Sequence, residues 1–194
     1  MRMRDEASVP PLERVVVVGT SGSGKTTFAR QLAGALDAPH VELDHLYWGP
    51  DWTARPEPEF VRLAGVATTA PRWVVDGNYR AVRDLLWPRA TVIIWLNFGL
   101  ATVFGSTLRR TLRRSLTREV LFAGNRESLR RSFLSRESIL LWVLQTYWQR
   151  RRDYPMLRQS DRYRGVAWVE FRRRSEAAAF LRTVRRAASA AGVS

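Results

Sequence analysis

The chain has no cysteine, which excludes disulfides, thiolate metal sites and a cysteine nucleophile. No stretch reaches the ~20 apolar residues that a membrane-spanning helix needs. The most apolar one, Ala90 to Phe104, is shorter and carries Asn97 and Gly99. The charged, proline-broken N-terminus is followed only by the brief run Val15 to Val18, too short for a signal peptide, so a soluble, cytoplasmic protein is expected. Acidic residues are scarce, with 18 against 32 basic ones and a formal charge of +14. Such a surplus attracts phosphorylated partners by long-range electrostatics, whether nucleotides, nucleic acid or an anionic surface. Lysine is almost absent too, Lys25 being the only one. Arginine is the planar, bidentate phosphate binder, but wholesale replacement of lysine also reads as a compositional bias of the source genome. The single lysine is therefore informative through its position.

What is present suffices for one domain. The 194 residues, 45% of them hydrophobic, can bury one core and not two. Residues 1–13 read as a flexible tail and 14–194 as a single domain. The run RVVVVG ends at Gly19 and is followed by glycines and then by a helical pattern over Lys25 to Leu36. Further strands are expected at His40 to Leu43, Arg72 to Val75, Thr91 to Leu96 and Gly165 to Phe171. Helices are expected near Glu59 to Thr69, Arg80 to Leu86, Ala101 to Arg114, Glu127 to Arg151 and Glu176 to Ala188. Strands alternating with helices at this rhythm predict an α/β fold, a five-stranded parallel sheet covered on both faces.

The segment Gly19-Thr20-Ser21-Gly22-Ser23-Gly24-Lys25-Thr26, followed by Thr27, matches G-x-x-x-x-G-K-[ST] without a mismatch. Glycines there let successive backbone N–H groups converge on phosphate oxygens. Lys25 can reach the β- and γ-phosphates, the Thr26 hydroxyl is placed for Mg²⁺, and the following helix offers its positive end. ATP and Mg²⁺ are the expected cofactors. A carboxylate near the metal is also needed, and strand ends of a parallel sheet point to the ligand crevice. Asp76 follows W-V-V as a metal-supporting aspartate follows its apolar strand, and Asp44 follows V-E-L. The alternative for each is a helix cap or turn aspartate.

On G-T-S-G-S-G-K-T-T, L-D-H-L-Y-W, V-V-D-G-N-Y-R and the arginine-rich T-L-R-R-T-L-R-R-S-L-T-R-E, the chain resembles the adenylate kinase-like P-loop kinases. It is most similar to bacterial proteins called DNA topology modulation or adenylate kinase-related proteins. These motifs span roughly residues 14–175. The resemblance aligns D-G-N-Y-R, Asp76 to Arg80, with a D-G-F-P-R pattern whose arginine holds substrate phosphate. Asn78 and Tyr79 are the departures, so metal support by Asp76 and phosphate contact by Arg80 look transferable while base recognition does not. It also implies an arginine-bearing lid inserted at about residues 108–127. Arg109, Arg110, Arg113, Arg114 and Arg118 fall there, and Arg109 and Arg113, one helical turn apart, are favoured over the rest. The alternative is a solvated face or a nucleic-acid patch. Asp44 is the candidate to orient an acceptor hydroxyl, with His45 weaker. Tyr47, Trp48 and Trp52 suit either a flat acceptor or packing beneath a loop.

Two functions follow as expectations. One is an ATP-dependent kinase acting on a nucleotide or other small molecule; the other is a nucleic-acid-associated ATPase. A third, a kinase-like toxin acting on a cell-wall sugar nucleotide, would share every motif. Leu108 to Arg118 alternates arginine with leucine as an amphipathic lid would, without the interleaved aromatics of a nucleic-acid surface, which favours the kinase.

Overall fold

A computed structural model describes residues 10–117, 139–190 and 192. Five short β-branched or aromatic segments form the strands β1 (Arg14–Gly19), β2 (His40–Glu42), β3 (Trp73–Asp76), β4 (Val92–Leu96) and β5 (Ala167–Phe171). They make one sheet in the order β2-β3-β1-β4-β5, with every neighbouring pair parallel. The helices among the described residues are α1 (Lys25–Leu36), α2 (Leu43–Tyr47), α3 (Glu57–Ala67), α4 (Arg83–Leu86), α5 (Leu100–Thr117), α6 (Ile139–Gln159) and α7 (Arg174–Ala190).

The alternation of side chains along a strand divides the core in two. Val15 and Val17 face a layer made with Phe28, Leu32, Val103, Leu181 and Val184, from α1, α5 and α7. Val16 and Val18 face the opposite layer with Phe60, Val82, Leu86 and Tyr154. Because β1 is covered on both faces it reads as a continuous apolar run, as buried parallel strands do. Asp76, two residues after Val74, lies on the α1 side of the sheet, where an apolar residue would otherwise continue the first layer.

Two elements differ from expectation. β2 stops at Glu42 and the chain turns at once into α2, so Asp44 sits inside a short helix and not at a strand end. At the turn Leu43 packs over Gly77, where an added Cβ would stand 2.8 Å from Leu43 Cβ. The helix expected over Arg80 to Leu86 is regular only from Arg83. Of the helix expected from Glu127, and of the lid expected at 108–127, the parts at 118–138 lie outside the described residues, as do residues 1–9 of the tail.

Candidate functional site

β1 delivers the chain to the phosphate-binding loop, and two local features give the loop its shape. Gly24, the residue before α1, has φ +85, a left-handed conformation costly for other residues. Gly22, with φ +81, lies under α5, where a Cβ would come within 2.1 Å of Thr107 Oγ1. The Thr107 hydroxyl lies 3.3 Å from Ser21 O and 3.0 Å from Val103 O, and Arg110 Nη2 donates to Ser21 Oγ at 3.1 Å. α5 is thus fastened to the outer side of the loop. Thr20 and Ser23 are buried, with Ser23 N donating to Thr20 O; Thr27 is exposed on the first turn of α1.

Lys25 Nζ lies 3.4 Å from Thr20 O. Burial, the Arg150 guanidinium and, more weakly, Arg110 bring its ammonium down to about 8, against the opposite pull of Asp44 and Asp76. These named influences define the site: cations from α5 and α6 and two carboxylates act on the Lys25 ammonium of α1. That convergence of positive charge is costly in the free protein and suits a polyanion.

Thr26 Oγ1 donates to Asp76 Oδ2 at 2.7 Å and lies 3.5 Å from Glu42 Oε1. Sheet register explains the meeting, since Asp76 pairs with Val17 on one side and Glu42 on the other. His40 Nε2 is 2.8 Å from Asp76 Oδ1. Burial and the nearby Asp76 push the Glu42 carboxyl above its usual range. A hydroxyl with one or two carboxylates is a hard oxygen set of the kind Mg²⁺ takes when phosphates and water complete its shell. Among the described residues no group of three or more His, Cys, Asp or Glu side chains is arranged to hold a metal. Thr26 and Asp76, with Glu42, fit that smaller oxygen set.

Asp44 also acts on the Lys25 ammonium. Tyr79 donates its hydroxyl to Asp44 Oδ1 at 2.6 Å. Trp48 hydrogen-bonds to Tyr79 in turn, and burial and then Asp44 push the Tyr79 phenol far up, keeping it a donor. The aromatics of this region pack on one another: Tyr47 against Trp48, Phe60 and Tyr79, and Trp48 against Trp52. His45, exposed, reaches Glu42 at 3.2 Å.

Lys25, Thr26, Asp44 and Asp76 are therefore linked by hydrogen bonds and charge, while the expected arginines are on the surface. Arg80 is exposed just ahead of α4. Arg109 and Arg113 are exposed on α5, and the arginine that reaches the loop is Arg110, because α5 presents Val103, Thr107 and Arg110 to the core rather than the 109/113 face. Glu42 and Arg150 were not legible as site residues. Glu42 is hidden in an ordinary V-E-L strand, and Arg150 is one of three consecutive arginines in a helix; only a register of strands or a docked helix marks either.

No family model matches the chain, and no curated protein matches it in sequence. Solved structures do. A gluconokinase from Sinorhizobium meliloti 1021 is 17% identical, with TM-score 0.50, over 92% of this chain and 92% of that one. A shikimate kinase from Bacteroides thetaiotaomicron is 15% identical, with TM-score 0.51, over 90% of this chain and 97% of that one. At these identities the likeness is one of fold, the five-stranded parallel P-loop kinase fold. The similarity to DNA topology modulation proteins rests on sequence motifs alone.

Proposed function

We propose that the protein is an ATP-dependent small-molecule kinase, transferring the γ-phosphoryl group of Mg·ATP to a hydroxyl held at Asp44. One observation carries this: the Lys25 ammonium is under the pull of two carboxylates, Asp76, which accepts from Thr26, and Asp44, which accepts from Tyr79. A donor phosphate and an acceptor oxygen would thus meet at one lysine. The two structures of similar fold are both kinases by name, which supports the class and leaves the acceptor open.

The loop N–H groups and the N-terminus of α1 would bind the β- and γ-phosphates. Lys25, Arg110 and Arg150 would neutralise charge on the transferring group, the main source of acceleration in phosphoryl transfer. Thr26 and Asp76 would hold Mg²⁺, which would supply further neutralisation of phosphate charge. With Tyr79 occupying Oδ1, Asp44 presents Oδ2 to the acceptor and can orient, then receive, its hydroxyl proton.

A panel of nucleoside monophosphates, sugars and small hydroxy acids, assayed for acceptor-stimulated ADP release, tests the proposal. One class should stimulate release, and Asp44→Asn should abolish the stimulation while leaving the Mg·ATP dissociation constant within about threefold, since the lost group acts on the acceptor proton. Stimulation that survives in Asp44→Asn would remove Asp44 from this role.

A further inference from the structure

Asn78 is one of the two departures from the D-G-F-P-R pattern, and the mechanism above leaves it without a task. Its amide is nonetheless engaged at both ends. Oδ1 accepts from Gly19 N at 3.1 Å and from the Tyr154 hydroxyl at 3.0 Å, and Nδ2 donates to Gly19 O at 2.7 Å. Gly19 is the first residue of the phosphate-binding loop. Tyr154 lies on α6 and is buried among Trp87 and Trp95, with ring centroids 6.0 and 5.2 Å away. Its oxygen is also hydrogen-bonded to Arg150, one helical turn earlier, whose Nη1 donates in addition to Thr146 Oγ1 at 3.3 Å. A continuous set of contacts therefore runs from the loop's first glycine through Asn78 and Tyr154 to the Arg150 guanidinium, whose charge is felt at Lys25.

Packing alone does not call for this arrangement. A phenylalanine ring would fill the Tyr154 site equally well, and the hydroxyl is a polar atom in an apolar layer, tolerable there only because it is hydrogen-bonded. What the hydroxyl and the amide do is tie the position of Arg150 to that of the loop. Arginine is a long side chain with several accessible rotamers, and ordering it costs free energy on binding unless the order exists beforehand.

We propose that Asn78 and Tyr154 are positioning residues that hold the Arg150 guanidinium in place against the phosphate cradle, so that the third phosphate of a nucleoside triphosphate meets a cation already oriented. This rests on the reading of the loop as an ATP site. It gives the asparagine a task in the chemistry, through Arg150 and without contact to substrate.

The test compares dissociation constants for Mg·ADP and Mg·AMP-PNP by calorimetry, because a residue that merely stabilises the fold would lower thermal stability without moving their ratio. Wild type is expected to prefer the triphosphate analogue by ~10-fold, the scale of one charge-assisted contact. Arg150→Ala should bring the two within about twofold of each other, and Tyr154→Phe should remove most of the preference while changing Mg·ADP binding by less than about threefold. Asn78→Leu should lower the ratio similarly and weaken Mg·ADP as well, since Gly19 loses its partner; it carries the test if Tyr154→Phe fails to fold. A preference lost in Arg150→Ala but intact in Tyr154→Phe and Asn78→Leu overturns the positioning role and leaves the kinase proposal standing. Equal binding of both nucleotides by wild type also overturns it. Wild type that binds neither overturns both.

Discussion

Lys25 owes its properties to its neighbours, and two predictions belong to this residue scale. Nucleotide phosphates favour the charged ammonium, which in the free protein titrates at about 8. Above that pH, binding must take up a proton, so Mg·ADP affinity should be level near pH 7 and fall as pH rises through about 8. Calorimetry at about pH 8.5 in buffers of different ionisation heat should show net proton uptake in wild type and none at this site in Lys25→Met. That variant should bind ~10- to 100-fold more weakly, for loss of a contact worth roughly 1.5–3 kcal/mol. The sign for stability is opposite to that for binding. A lysine whose folded value is lowered leaves the unfolded chain holding the proton between about 8 and ~10.4. Wild-type stability should therefore gain on Lys25→Met across that window, as denaturant titrations of both would show. Asp76 allows a second test: Asp76→Asn keeps the shape and removes the charge that supports a metal's shell. The Mg²⁺ midpoint of turnover should rise several-fold, about one lost charge-assisted contact, with a smaller change in nucleotide affinity. An unmoved midpoint would reduce Asp76 to a cap for Thr26.

At the scale of elements, α5 decides which arginine serves the loop. The sequence offers pairs at 109/110 and 113/114, and periodicity alone relates 109 to 113 without saying which face is turned inward. Packing of Val103 and Thr107 against the core and over Gly22 answers this, and it aims Arg110 at Ser21. Arg110→Ala should lower kcat for basal ATP hydrolysis by ~10², the scale of removing one preorganised charge contact. Arg113→Ala should lower it by less than about threefold, as for an exposed charge. Equal losses in the two would mean that the outer face of α5 also turns onto the nucleotide. The β2–α2 junction teaches the same lesson. V-E-L-D reads naturally as one strand ending in aspartate, yet Leu43 packs onto Gly77 and the chain bends one residue earlier, which leaves Glu42 near Thr26 and Asp44 bonded to Tyr79.

For the whole molecule, the converging charges imply a protein that is stabilised by its ligand. Mg·ATP at 100 times its dissociation constant would contribute about 2.7 kcal/mol, and at roughly 2–4 °C per kcal/mol for a domain of this size the melting temperature should rise by about 5–10 °C. Thermal denaturation with Mg·ATP, with EDTA added and in Lys25→Met would check this; an equal rise in all three would show that the nucleotide acts elsewhere. The parallel sheet, its five strands and the phosphate-binding loop were legible in the sequence because each is a local pattern: a β-branched run, glycines at set spacing, a lysine and a threonine opening a helix. No local pattern records which strands are neighbours. The order β2-β3-β1-β4-β5 and its register bring Thr26, Glu42 and Asp76 together from three segments. The docking of α6 selects Arg150 from Arg150, Arg151 and Arg152 and connects it through Tyr154 and Asn78 to Gly19. Those choices are made by burial and hydrogen-bond satisfaction between residues 16 to 76 positions apart, and only the folded chain expresses them.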